Sequence, residues 1–114
     1  MASEVSYLEI GAKDAEETRQ FFEQLLGWRF TPMGDKGEGW FQMPSIRAGL
    51  HGNDSEPQLL VFFRVDDLEL AIAQVKKLGG AADRPGDNEP GFGRFCICCD
   101  PQGVRFGLHQ SPGR

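Results

Sequence analysis

The chain has 114 residues, a formal net charge of −5 and no cluster of Lys and Arg, which argues against nucleic acid or an anionic membrane as partner. With 39% hydrophobic and 25% charged residues and nine Phe, it has the composition of one globular domain with a modest core. No apolar run is long enough to span a membrane, no signal-peptide pattern opens the chain, and Cys96, Cys98 and Cys99 are too few and too crowded for a disulfide framework, so a cytoplasmic setting is expected.

In chain order, an apolar run from Val5 to Gly11 reads as a strand. Asp14 with Glu17 three residues on reads as a capping box, because the cap side chain satisfies an otherwise orphaned helical N–H. Thr18, Phe21, Phe22, Leu25 and Leu26 then fall on one helical face, and Gly27 is placed to end the helix in the left-handed conformation. Strands follow over 28–33, 38–43 and 46–51, separated by Gly, Pro, Asn and Asp turns. The pattern then restarts with a strand over 59–65, a second helix capped by Asp66 or Asp67, and strands over 80–83, 92–99 and 104–110. Leu68, Ala71, Ile72, Val75 and Leu78 form the second helix's stripe, with Lys76 and Lys77 near its end to complement the dipole.

The restart is an internal duplication. The two histidines of the chain close its halves in the same tripeptide, Gly49-Leu50-His51 and Gly107-Leu108-His109. Gly39 and Gly91 stand 52 positions apart, and His51 and His109 stand 58 apart. The second copy therefore carries the longer loop, supplied by Asp100-Pro101-Gln102-Gly103. One domain over 1–114 made of two βαβββ modules, about 4–53 and 57–111, is expected. Its class is α+β, with curved mixed sheets around a cleft.

Two stretches carry a family resemblance. Tyr7 to Asp14 with Phe21-Phe22-Glu23-Gln24-Leu25-Leu26-Gly27-Trp28 resembles the opening strand, capped helix and "F-x3-L-L-G-W" ending of the vicinal oxygen chelate superfamily. Asp100 to Gln110 is similar to its closing "D-P-x-G" turn and last strand. This superfamily includes glyoxalases, bleomycin-resistance proteins and extradiol dioxygenases. The resemblance implies a glyoxalase-like fold that hosts lyases, transferases, dioxygenases and pure binders. It also implies a homodimer. Family members commonly hold a divalent metal through His, Glu or Gln. The matching positions here are Tyr7, Gly49, Leu60 and Gly107, which cannot build that set, so no metal and no other cofactor is expected.

The candidate ligand-binding residues are Tyr7, Glu9, Phe62, Arg64, Cys96, Arg105, His51 and His109. Glu9 is a carboxylate in an apolar strand on the face of Tyr7, and a buried carboxylate needs a partner. Arg64 is the candidate partner in a structural pair, and otherwise Glu9 is a candidate base or ligand-orienting group. Tyr7 and Glu9 are expected to hydrogen-bond a ligand, Phe62 to stack on it, and Arg64 or Arg105 to meet an anionic group. His51 and His109 with Glu9 also form an alternative metal set. The expected function is metal-independent binding of a small aromatic or antibiotic-like molecule. The alternatives are a lyase or isomerase with Glu9 as base, and an accessory domain whose role is to pair with a protein partner.

Overall fold

The computed structural model describes residues 2–112. All eight strands and both helices of the sequence reading are present: β1 (Val5–Gly11), α1 (Ala15–Leu26), β2 (Arg29–Pro32), β3 (Gly39–Gln42), β4 (Arg47–His51), β5 (Gln58–Arg64), α2 (Leu68–Lys77), β6 (Ala81–Ala82), β7 (Arg94–Cys99) and β8 (Arg105–Gln110). The fold is α+β. The chain divides into two compact units, Tyr7–Leu60 and the residues up to Ser6 with Val61 onward. The start of β1 groups with the second unit, and β5 begins in the first.

In the first unit the strands run in the order β2-β3-β4-β1. β1 and β4 are parallel, and β4, β3 and β2 pair antiparallel. Asp14 accepts the Glu17 N–H at 3.2 Å and Gly27, at φ 69°, donates its N–H to Glu23 O, so both ends of α1 are satisfied as the sequence requires. One sheet face packs on α1 through Ile10, Ala48, Leu50 and the fully buried Phe41, with Phe22, Trp28 and Phe30 against them. The expected helical stripe is corrected here. Phe22 stacks on Trp28 at 5.5 Å, whereas Phe21, Leu25 and Leu26 are exposed. Phe21 points about 100° away from Phe22; Leu25 and Leu26 lie within about 60° of its direction, in the last turn of the helix, and remain exposed.

The second unit repeats the plan in the order β5-β8-β7-β6, with β5 and β8 parallel and the others antiparallel. Asp67, rather than Asp66, caps α2 by accepting the Leu70 N–H at 3.1 Å. The Leu68 N–H is taken by the Gln110 side chain at 2.7 Å. Leu68, Ile72, Cys96, Cys98 and Leu108 form the core, with Ala71 and Val75 packed against it, while Leu78 is exposed past the helix end. The segment Glu89–Gly93 is a tight turn: the N–H groups of Phe92 and Gly93 bond Glu89 O. Gly93 has φ 98°, and a Cβ there would stand 2.1 Å from Gln110 O, so glycine is required by both conformation and space.

Candidate functional site

Alternation along a strand puts every second side chain on one face. In the first unit Leu8, Ile10, Phe41, Ala48 and Leu50 point at α1, so Tyr7, Glu9, Trp40, Arg47, Gly49 and His51 share the opposite face. The register places Gly49 beside Glu9 on β1 and beside Trp40 on β3, with Arg47 opposite Tyr7. Gly49, lacking a side chain, therefore leaves room for the larger side chains around it. A Cβ built at Gly49 would lie 2.3 Å from both the Tyr7 hydroxyl and Glu9 Oε1, so those two oxygens lie close together over the glycine. Beside them the Arg47 guanidinium lies over the Trp40 ring, 4.6 Å from its centroid, as a cation–π contact.

His51 ties Glu9 to the loop beyond β4. Its Nδ1 lies 2.6 Å from Glu9 Oε2 and its Nε2 lies 3.3 Å from Asp54 Oδ2, so the ring stands between two carboxylates. Burial works to lower the His51 pKa, but the hydrogen bond and charge of Glu9, with Asp54 beyond, outweigh it and the pKa is raised. The Glu56 N–H, at 2.9 Å, and His51 hold the Asp54 carboxyl below its usual range. Charge-assisted bonds on both ring nitrogens favour imidazolium.

The matching tripeptide of the second unit is built differently. Over Gly107 lies the Phe62 ring: a Cβ at that position would be 2.0 Å from Phe62 Cδ2. Phe62 meets Phe95 edge-on at 5.2 Å, and Phe95 stacks on His109 at 4.5 Å. His109 is buried, with Nδ1 2.8 Å from the Ser6 hydroxyl and Nε2 against Phe92 O. A carbonyl only accepts, so Nε2 carries the proton and the Ser6 hydroxyl donates to Nδ1. Burial lowers the His109 pKa, against the Phe92 bond and together with the charge of Arg64. This is a neutral, packed histidine.

The expected ligand residues therefore separate. Tyr7, Glu9 and His51 come together around Gly49. Phe62, Arg64, Arg105 and His109 share the Gly107 face of the second unit. Arg64 takes Glu4 as its carboxylate partner at 2.7 Å, and His51 is the partner that Glu9 finds. Cys96 is corrected. It pairs with Leu108 in register and points with it into the core under α2, whereas Phe62 and Gly107 point the other way. Burial raises the thiols of Cys96 and Cys98, the latter to about 12, so both are neutral core residues. The sequence reading missed Arg47 and Asp54. Asp54, three residues after His51, was legible only as a turn residue.

The residues do not fit the family's divalent metal. The two glycine positions are overhung by Tyr7 and Glu9 in one unit and by Phe62 in the other. His51 lies between two carboxylates and His109 between a hydroxyl and a carbonyl. Among the described residues no group of three or more His, Cys, Asp and Glu is arranged to hold a metal ion. Among the same residues no helix is long and apolar enough to cross a membrane.

Residues 4–108 match the glyoxalase/bleomycin resistance protein/dioxygenase superfamily. The chain belongs to this superfamily. It is 24% identical over 90% of its length to the anthracycline biosynthesis protein DnrV of Streptomyces peucetius, covering 45% of that protein; the chain thus spans less than half the length of the curated relatives it matches. In structure it is similar to a hypothetical protein from Bacillus halodurans, with TM-score 0.77, 12% identity and coverage of 100% of this chain and 98% of that one. It is also similar to methylmalonyl-CoA epimerase from Mycobacterium tuberculosis, with TM-score 0.73, 14% identity and coverage of 96% and 88%. At these identities the likenesses establish the fold, and the superfamily hosts several chemistries on it.

The two histidines make opposite contributions to stability with pH. A raised folded pKa at His51 stabilises fully below the unfolded value, about 6.5, and that stabilisation is lost as pH rises through the folded pKa. A lowered folded pKa at His109 stabilises above about 6.5 and is lost as pH falls toward the folded value. His51→Gln is thus expected to lower the urea midpoint at pH 6 and leave it unchanged at pH 9. Equal midpoints for variant and wild type at pH 6 would show that the two carboxylates do not hold the imidazolium.

Proposed function

We propose that the chain binds a small oxygenated aromatic molecule, without a metal, on the face around Gly49. The observation that carries this reading is the set of side chains that converges around Gly49. A phenol and a carboxylate converge there beside a guanidinium seated on an indole, so planar stacking surface adjoins hydrogen-bonding groups of both kinds. The similarity to an anthracycline biosynthesis protein supports a polycyclic aromatic as the molecule. A hydroxyanthraquinone titrated against the protein should quench tryptophan emission saturably, and Tyr7→Phe should weaken binding at least about tenfold, the loss of one hydrogen bond to a buried partner. Absence of saturable quenching, or equal affinity in Tyr7→Phe and wild type, sinks the reading.

A lyase or isomerase is the second reading, and Glu9 beside the Tyr7 hydroxyl favours it, since a carboxylate and a phenol can serve as base and acid. Glu9→Gln separates the two: lost turnover with retained affinity makes the chain an enzyme. The expected homodimer belongs to the same proposal. Phe21 and Leu25, 60% and 63% exposed on α1, offer apolar surface to a second copy. Sedimentation equilibrium that returns only monomer at micromolar concentration removes it.

A further inference from the structure

Tyr7, Glu9 and His51 differ in their access to water in a regular way. Tyr7 is 9% exposed, the Glu9 side chain 29% and the His51 side chain 46%. They are also consecutive neighbours: the phenol stands with Glu9 Oε1 over Gly49, and Glu9 Oε2 receives His51 Nδ1 at 2.6 Å. Asp54 faces the far nitrogen, at 3.3 Å. A carboxylate that only anchored an imidazolium would not need a phenol at its second oxygen. A buried phenol does need a polar partner, and here that partner is the carboxylate whose other oxygen meets the exposed ring.

We infer that Tyr7, Glu9 and His51 form a proton relay that connects the ligand face to solvent, with Asp54 as the residue that positions the imidazolium. The inference rests on the binding reading in one respect: the group served is an ionisable oxygen of the bound molecule, a phenol or an enol. In the delivering direction the Tyr7 O–H bond breaks as an O–H bond forms on the ligand's phenolate or enolate oxygen. The Tyr7 phenolate then takes the proton of the Glu9 carboxyl, which Glu9 has received from His51 Nδ1. Rotation about the last torsion of Glu9 exchanges its two oxygens, and that torsion is broad and two-fold. Neutral His51 turns its bare nitrogen to water, is protonated there and turns back. One proton moves from solvent to ligand, no electrons are transferred, and each residue returns to its starting state. Running the steps backward removes a proton.

The chain contains one tyrosine, which makes the relay measurable without a ligand. In protein labelled with ¹³C at the tyrosine Cζ and dissolved in equal H₂O and D₂O, the O–H and O–D forms give separate lines, and their exchange rate reports proton traffic at Tyr7 alone. The rate is expected to fall at least tenfold in His51→Gln and in Glu9→Gln, and severalfold in Asp54→Asn, with circular dichroism unchanged. His51 is exposed and Asp54→Asn keeps the ring in place, so these variants do not depend on rebuilding a core. Rates within twofold of wild type in both His51→Gln and Glu9→Gln overturn the relay. Each result is independent of whether a hydroxyanthraquinone binds, so the relay and the binding reading fail separately.

Discussion

Phe41→Ala is expected to cost the protein about 3–5 kcal/mol, the range for deleting a buried phenylalanine ring. Phe41 has 0% of its surface exposed. Its ring meets Phe30 at 5.1 Å, Trp28 at 5.5 Å and Phe22 at 6.2 Å, so one truncation removes three aromatic contacts as well as buried area. The residue beside it on β4 is Ala48, which is too short to fill the cavity. A domain of this size holds about 5–15 kcal/mol in total, so the variant loses a large share of it. Urea unfolding with an unchanged slope and a lowered midpoint is the measurement. Leu70→Ala, at a position 70% exposed on α2, serves as the control and should stay within about 0.5 kcal/mol. A Phe41 loss below about 1.5 kcal/mol would mean that the cluster relaxes to fill the hole.

The difference between Phe41 and Phe21 also marks what the sequence could and could not supply. Strand and helix limits were legible because caps, glycines and apolar runs act locally: Asp14, Gly27 and Asp67 do in the fold what their types require. Which helical residue is buried was not legible, because Phe21, Phe22 and Leu25 are equally apolar and only the sheet's aromatic cluster selects Phe22. Strand alternation puts Cys96 and Cys98 on one face, but only pairing with Leu108 shows that the face is the core one.

The repeated tripeptide gives the clearest case. Gly-Leu-His occurs twice, and sequence treats the copies as equals. In the fold His51 meets Glu9, 42 positions earlier, and Asp54, while His109 meets Ser6, 103 positions earlier. One histidine becomes an exposed imidazolium and the other a buried neutral ring. The glycines diverge in the same way. Gly107 makes room for an apolar ring, and Gly49 makes room for two polar groups. Duplication is a local signal and survives in the sequence, whereas the chemistry of each copy is fixed by residues distant in the chain.

That divergence leads to the second large effect, at Gly49. Gly49→Leu is expected to reduce affinity for a hydroxyanthraquinone at least about a hundredfold, equivalent to about 2.7 kcal/mol, while the protein stays folded. The reason lies in what a side chain at 49 would displace. The nearest atoms to a new Cβ are the Tyr7 hydroxyl and Glu9 Oε1, the far ends of flexible side chains, so those groups swing away and the backbone need not. Gly39 on the neighbouring strand is the contrast. There a Cβ would meet Thr31 O at 2.2 Å and Pro32 Cα at 2.9 Å, and backbone atoms have nowhere to go. Overpacking at Gly49 should therefore cost stability within the usual 1–3 kcal/mol and destroy the ligand face. The decisive comparison is Gly49→Leu with Tyr7→Phe. If the leucine variant binds as well as wild type while Tyr7→Phe is weakened, Tyr7 acts from some other position and the face around Gly49 is not where the ligand sits. Loss in both, with each variant folded by circular dichroism at the assay temperature, is the outcome the binding face around Gly49 predicts.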